Sequence, residues 1–117
     1  MLFYRGYAIN QWLEWSVETV AAADAEIAAL PTKLRARLVR LLEMVENVGL
    51  EQLREPHVRH LEGKLWELRA KSRDGIARGI YVTATGRRVI VLHVFVKTSR
   101  RTPRQAVATA KERMKQV

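Results

Sequence analysis

The 117-residue chain contains no cysteine. That absence removes disulfides, thiolate zinc sites and cysteine nucleophiles together, and an uncrosslinked chain suits a reducing compartment. Long apolar runs are missing as well: no stretch approaches the ~18–20 residues a membrane span needs. The opening MLFYRGYAINQW has neither the continuous apolar run nor the small-residue cleavage site of a signal peptide. There is no heptad repeat, internal repeat or low-complexity linker. These absences lead us to expect one soluble cytoplasmic domain spanning 1–117, with no membrane contact.

Acidic residues are scarce in one half only. Residues 1–62 carry seven Lys/Arg against nine Asp/Glu, a net of −2, whereas residues 63–117 carry fourteen against three, a net of +11. An even +9 would suit a surface kept basic for solubility or one masked by an acidic partner protein. Charge this polarised favours a polyanion, RNA or DNA. Carboxylates nowhere cluster, which argues against a two-metal nuclease.

The apolar spacing sets out the elements. Leu2-Phe3-Tyr4-Arg5 reads as a short strand ended by Gly6, and Asn10 as the N-cap of a following helix. Trp12, Leu13, Trp15, Val17, Val20 and Ala21 recur at mixed three- and four-residue spacing, and the tryptophans read as packing residues. Pro31 suits a first helical turn, Leu34, Leu38, Leu41, Leu42 and Val45 form an apolar helix face, and Gly49 stops it. Residues 10–48 are therefore expected to form a helical hairpin, and 50–62 a connector. His57 and His60 in that connector read as solvated: there is no third ligand nearby, and Arg54 and Arg59 would repel a metal cation.

The basic half reads as β-structure. From Lys64 to Lys71, Trp66, Leu68 and Ala70 alternate with Leu65, Glu67, Arg69 and Lys71. Asp74-Gly75 is a hairpin signal, and Ile76 to Thr83 is a second strand with Ile76, Arg78, Ile80 and Val82 on one face. Thr85-Gly86 marks the next turn. Arg88 to Lys97 is nearly all apolar, which suits a strand buried on both faces and central in the sheet. Ala106, Val107, Ala110 and Met114 then predict a C-terminal helix. The expected fold class is α+β: an N-terminal strand and a helical hairpin on an antiparallel sheet, made of the three-stranded meander plus an edge strand, with a C-terminal helix. The helices would cover one face and leave the other as a shallow basic surface.

Three segments in this order, K-L-W-E-L-R (64–69), D-G-I-A-R-G-I-Y (74–81) and V-L-H-V-F-V-K-T-S-R-R-T-P (91–103), resemble the HigB-like, phage-derived branch of the RelE/ParE toxin superfamily. The resemblance covers residues 61–117, and residues 1–60 match in layout alone. It implies the RelE-like fold and the toxin of a type II toxin–antitoxin pair, an endoribonuclease that cuts mRNA on the ribosome without a metal or other cofactor. The implied partners are mRNA, the ribosome and a helix-turn-helix, HigA-like antitoxin, held in a toxin–antitoxin hetero-oligomer.

Metal-free RNA cleavage needs an activated 2′-OH, stabilised phosphate charge and a protonated 5′-oxygen. The resemblance assigns Arg69, Arg78 and Lys97 to this work. His93 has the intrinsic pKa for proton transfer, yet lies in an apolar strand, so catalytic and core-histidine readings both stand. Lys71, Arg73, Thr98, Arg100 and Arg101 are the expected RNA-binding positions, and Glu67 is placed to orient Arg69 or to pair with a neighbouring cation. The chain departs from the family pattern where Thr98 replaces a second lysine. It departs again where Ala77 and Gly79 flank Arg78, Gly79 being expected either to open space for a base or to relax the strand. Two competing readings remain: a non-catalytic relative, either binding gyrase as ParE-like toxins do or retaining antitoxin binding alone, and a nucleic-acid binder without chemistry.

Overall fold

A computed structural model describes residues 14–54, 56–73, 75–97 and 101–117. The chain forms β1 (Ser16–Thr19), α1 (Ala21–Ala28), α2 (Thr32–Val48), a short 3-10 turn (Leu50–Gln52), β2 (Val58–Glu62), β3 (Leu65–Ser72), β4 (Gly75–Ala84), β5 (Arg88–Lys97) and α3 (Arg104–Met114). The sheet order is β1-β5-β4-β3-β2. β2 to β5 are antiparallel to their neighbours, whereas β1 runs parallel to β5 from Ser16↔Arg88 to Thr19↔Val91.

The meander and the closing helix follow the sequence pattern closely. Left-handed Gly86 (φ 90°) and Arg87 (φ 57°) turn the chain between β4 and β5. Gly49 (φ 93°) ends α2 in a conformation costly for any residue with a Cβ. Pro31 sits one residue outside α2, at its N-cap, with its carbonyl accepting the Arg35 N–H at 2.9 Å. Asp74 lies outside the described residues, as do Leu2 to Arg5, Asn10, Trp12 and Leu13.

Two expectations change and a third holds. The helical hairpin over 10–48 is replaced, within the described residues, by a strand and two helices, because Glu14 to Val20 also alternates with period two. Val17, Thr19 and Val20 are β-branched, and β5 offers an edge for them to pair with. The connector over 50–62 ends in a strand, β2, which makes the far edge of the sheet and carries both Arg59 and His60. β5 is an interior strand buried over most of its length, as expected, with β1 and β4 on its two sides.

The sheet is also covered on both sides. Leu34, Leu38, Leu41 and Val45 of α2, with Ala23 of α1, pack on Leu68, Ala70, Ala77, Tyr81, Val89, Val91 and Val94. On the opposite face, Ala106 and Ala110 of α3 pack on Leu65, Ile80, Val82, Ile90 and Leu92. Burying each large aliphatic side chain contributes about 1.5–3 kcal/mol. The small alanines let α3 lie close to the sheet, and the basic surface expected over that whole face is confined to the end α3 leaves uncovered. Among the described residues no helix is long and apolar enough to cross a membrane.

Gly79 faces α2, not the basic end. A Cβ there would meet Val91, Leu38 and Val94 at 3.8–3.9 Å, ordinary packing distance, so it opens no space for a base. Gly79→Ala removes backbone freedom from the unfolded chain and adds a methyl that fits. We expect a gain of about 0.4–1 kcal/mol, read by thermal denaturation; a loss of stability would show that the strand cannot accept the methyl.

Candidate nucleic-acid interface

Register brings the predicted residues together. Arg69 pairs with Arg78, which pairs with Phe95, and Lys71 pairs with Ile76, which pairs with Lys97. Cross-strand partners share a face, so Arg69, Arg78, Lys71 and Lys97 lie on the α3 face, at the end beyond that helix. Strands lie about 4.8 Å apart, so Lys71 and Lys97 flank Ile76 with backbones about 10 Å apart. Lys71, Arg73 and Lys97 are exposed at this end, as is Arg101 beyond it. Thr98 and Arg100 lie outside the described residues.

At the centre is Glu67, with no solvent exposure. Its Oε1 accepts the Arg69 Nε–H at 2.6 Å, and its Oε2 accepts the Thr102 hydroxyl at 2.8 Å. The Arg78 Nη1 stands 3.9 Å from Glu67 and donates to Thr102 Oγ1 at 3.2 Å. A buried carboxylate is tolerable only when cations and donors replace its water, and here two guanidiniums and a hydroxyl do so. The two arginines differ in access: the Arg69 side chain is 16% exposed and that of Arg78 0%. Burial draws the Arg78 pKa below its ordinary value; Glu67 opposes that shift, while Arg69 and Arg59 add to it.

His93 belongs to a different cluster. Its Nδ1 lies 3.0 Å from Glu26 Oε2, and the same carboxylate accepts the Val94 N–H at 3.0 Å and Arg113 Nη1 at 2.8 Å. Among the described residues no strand lies beside β5 past Thr19, and Glu26 of α1 caps that edge while tying it to α3. Burial opposes ionisation of Glu26, but the hydrogen bonds from Arg113, Val94 and His93 outweigh it and hold the carboxyl below its ordinary 4.5. Tyr81 is on the α2 face, and burial pushes its phenol up to about 12, so it is a neutral packing group.

A groove of about 830 Å³ runs from Thr102 between β2 and α3, lined by Arg59, Arg101, Arg104 and Lys111, with Lys111 paired to Glu62. Arg59, Thr102, Arg104 and Lys111 are absent from the sequence-based site. Thr102 was within reach, because it stands in the T-P that closes the third family segment. Arg59 becomes visible once β2 exists and sets it opposite Glu67. His60 donates its Nε2–H to the Gly63 carbonyl at 2.9 Å and packs at 4.8 Å on Trp66; it is exposed, as expected, but stands on a strand and not in a loop. Among the described residues no three His, Asp or Glu side chains converge to hold a metal ion.

A mixed sheet with a basic cluster beside α3 defines a small α+β protein built around cations on one sheet face. Residues 25–115 match the family model described as Phage derived protein Gp49-like (DUF891). The chain belongs to that family. Its fold is that of RelE-type proteins. It is similar to a free-state E. coli toxin RelE carrying two arginine-to-alanine changes, with TM-score 0.61, 20% identity, 86% of this chain and 98% of that chain covered. It is also similar to a chain of the toxin–antitoxin complex RelBE2 from Mycobacterium tuberculosis, with TM-score 0.55, 16% identity and 72% and 99% covered. Comparison with curated protein sequences finds no match.

Two expected outcomes follow from the clusters. Glu67→Ala leaves two guanidiniums without their carboxylate and should cost about 3–5 kcal/mol in urea denaturation; a loss below about 1 kcal/mol would show that the pair is not what holds this end together. Glu26 is the opposite of a raised-pKa group: its contribution is present above the ordinary 4.5 and is lost as pH falls through the lowered value. The melting temperature should therefore drop below pH 4.5 more steeply in the native protein than in Glu26→Gln; parallel profiles would refute that assignment.

Proposed function

We propose that the protein is the toxin of a type II toxin–antitoxin pair and acts as a ribosome-dependent, metal-independent mRNA endonuclease. The observation that carries this reading is the packing of Arg69, Arg78, Lys71 and Lys97 onto one uncovered end of a sheet face, in a member of the Gp49-like family with a RelE-type fold. In the reaction the 2′-OH gives up its proton to solvent water as its oxygen attacks the adjacent phosphorus, the bond to the 5′-oxygen breaks, and a 2′,3′-cyclic phosphate forms. Arg69, whose guanidinium reaches the surface, stabilises the charge gathered on the phosphoryl oxygens. Lys97 supplies the proton to the departing 5′-oxygen. Lys71, Arg73 and Arg101, with Thr98 and Arg100, hold flanking phosphates. Arg78 works from inside through Glu67. His93 serves structure, since Glu26 and Arg113 already engage its ring. The partner is an antitoxin with a helix-turn-helix domain, and the site of action is the cytoplasmic ribosome.

Expression without an antitoxin should arrest translation and growth, and primer extension should reveal new mRNA ends. Arg69→Ala or Lys97→Ala should slow cleavage by about 10²–10³-fold and relieve the arrest. Undiminished toxicity in both variants would sink the assigned residues. Growth arrest with intact mRNA and altered DNA supercoiling would favour a gyrase-binding toxin instead.

A further inference from the structure

We propose that Glu67 and Thr102 are positioning residues that set Arg69 for its phosphate, with Arg78 as the buried counter-charge that holds Glu67 in place. This deepens the RNA-cleaving reading and rests on it. The geometry is a closed relay. Arg78 Nη1 donates to the Thr102 hydroxyl at 3.2 Å, that hydroxyl donates to Glu67 Oε2 at 2.8 Å, and the other carboxylate oxygen holds Arg69 by its Nε at 2.6 Å.

Three physical points give this arrangement its direction. First, Arg78 has no solvent exposure, so in this arrangement it cannot meet a phosphate arriving at the surface. Its described contacts toward the substrate side are with Glu67 and Thr102. Second, a bond at Nε fixes the plane of the Arg69 guanidinium, and guanidinium binding to phosphate is planar and directional. A shift of about 1 Å in such a group costs about 10²-fold in rate. Third, Thr102 stands two residues before α3, at the mouth of the basic groove. Its hydroxyl therefore links the strand that carries Arg69 to the segment that leads from β5 into α3, and the two halves of the site move as one.

The test uses the intact protein. Thr102→Val preserves shape and removes both hydrogen bonds, and Thr102→Ser restores the hydroxyl. In single-turnover cleavage of ribosome-bound mRNA, Thr102→Val should lower kcat by about 10–100-fold with KM little changed, as loss of a supporting hydrogen bond does elsewhere. Thr102→Ser should stay close to wild type. Nitrogen-15 NMR supplies a readout independent of activity: the Arg69 Nε–H, assigned by its disappearance in Arg69→Lys, should exchange slowly in wild type and Thr102→Ser and at least about tenfold faster in Thr102→Val. Wild-type kcat and slow exchange in Thr102→Val would overturn the proposal. So would a loss expressed in KM with Arg69 still protected, since Thr102 would then be touching RNA itself. Should the native protein cleave no mRNA, the functional reading fails by itself, and the exchange rates still decide whether Thr102 and Glu67 hold Arg69.

Discussion

A carboxylate sealed from solvent must be matched by cations and donors held close, and in this protein that constraint falls on Glu67. β3 presents it inward beside Arg69, β4 brings Arg78 opposite, and the segment before α3 supplies Thr102. Each requirement fixes another element. Arg69↔Arg78 pairing needs the β3–β4 register, and a slip of one residue would put the two side chains on opposite faces. Thr102 can reach the carboxylate only if the chain leaves β5 and crosses back over the same face.

The second organising fact is that α3 is narrow and short. Ala106 and Ala110 let it lie against Ile80 and Leu92, and it covers only one end of its sheet face. The uncovered end then combines a buried charge network with the exposed Lys71 and Lys97 and the groove past Arg59 and Arg104. The acidic-leaning first half reaches that end through Arg59 of β2. It supplies α2 as the cover for the other face and Glu26 as the clasp between β5 and α3. Charge asymmetry along the chain thus becomes asymmetry between the two sides of the molecule.

What was legible in the sequence was what has a local cause. Period-two alternation gave the faces of β3 and β4, with Glu67, Arg69 and Lys71 together, and the Thr85-Gly86 turn and the spacing of Ala106 and Ala110 gave their elements. The strand at Ser16–Thr19 was hidden because Trp15, Val17 and Val20 satisfy helical and alternating patterns alike, and only the edge of β5 decides between them. β2 was hidden by Pro56 and by its mixture of exposed basic residues, which is ordinary for an edge strand. The candidate residues were legible by type and register, but their difference in burial was not. Arg78 is sealed where Arg69 is partly exposed, and Arg78 contacts Thr102, thirty-three positions along from Arg69. His93, open in the sequence between a catalytic and a core role, contacts Glu26 and Arg113.

The central claim is that the buried network acts through one arginine, and a double-mutant cycle tests it most directly. Arg69→Lys keeps the charge and lacks the Nε donor, so Thr102→Val should have nothing left to misplace in that background. In single-turnover mRNA cleavage the second substitution should then cost less than about twofold, against about 10–100-fold in the native protein. Equal losses in both backgrounds would contradict the account, because Thr102 and Glu67 would then be acting on the reaction without passing through Arg69.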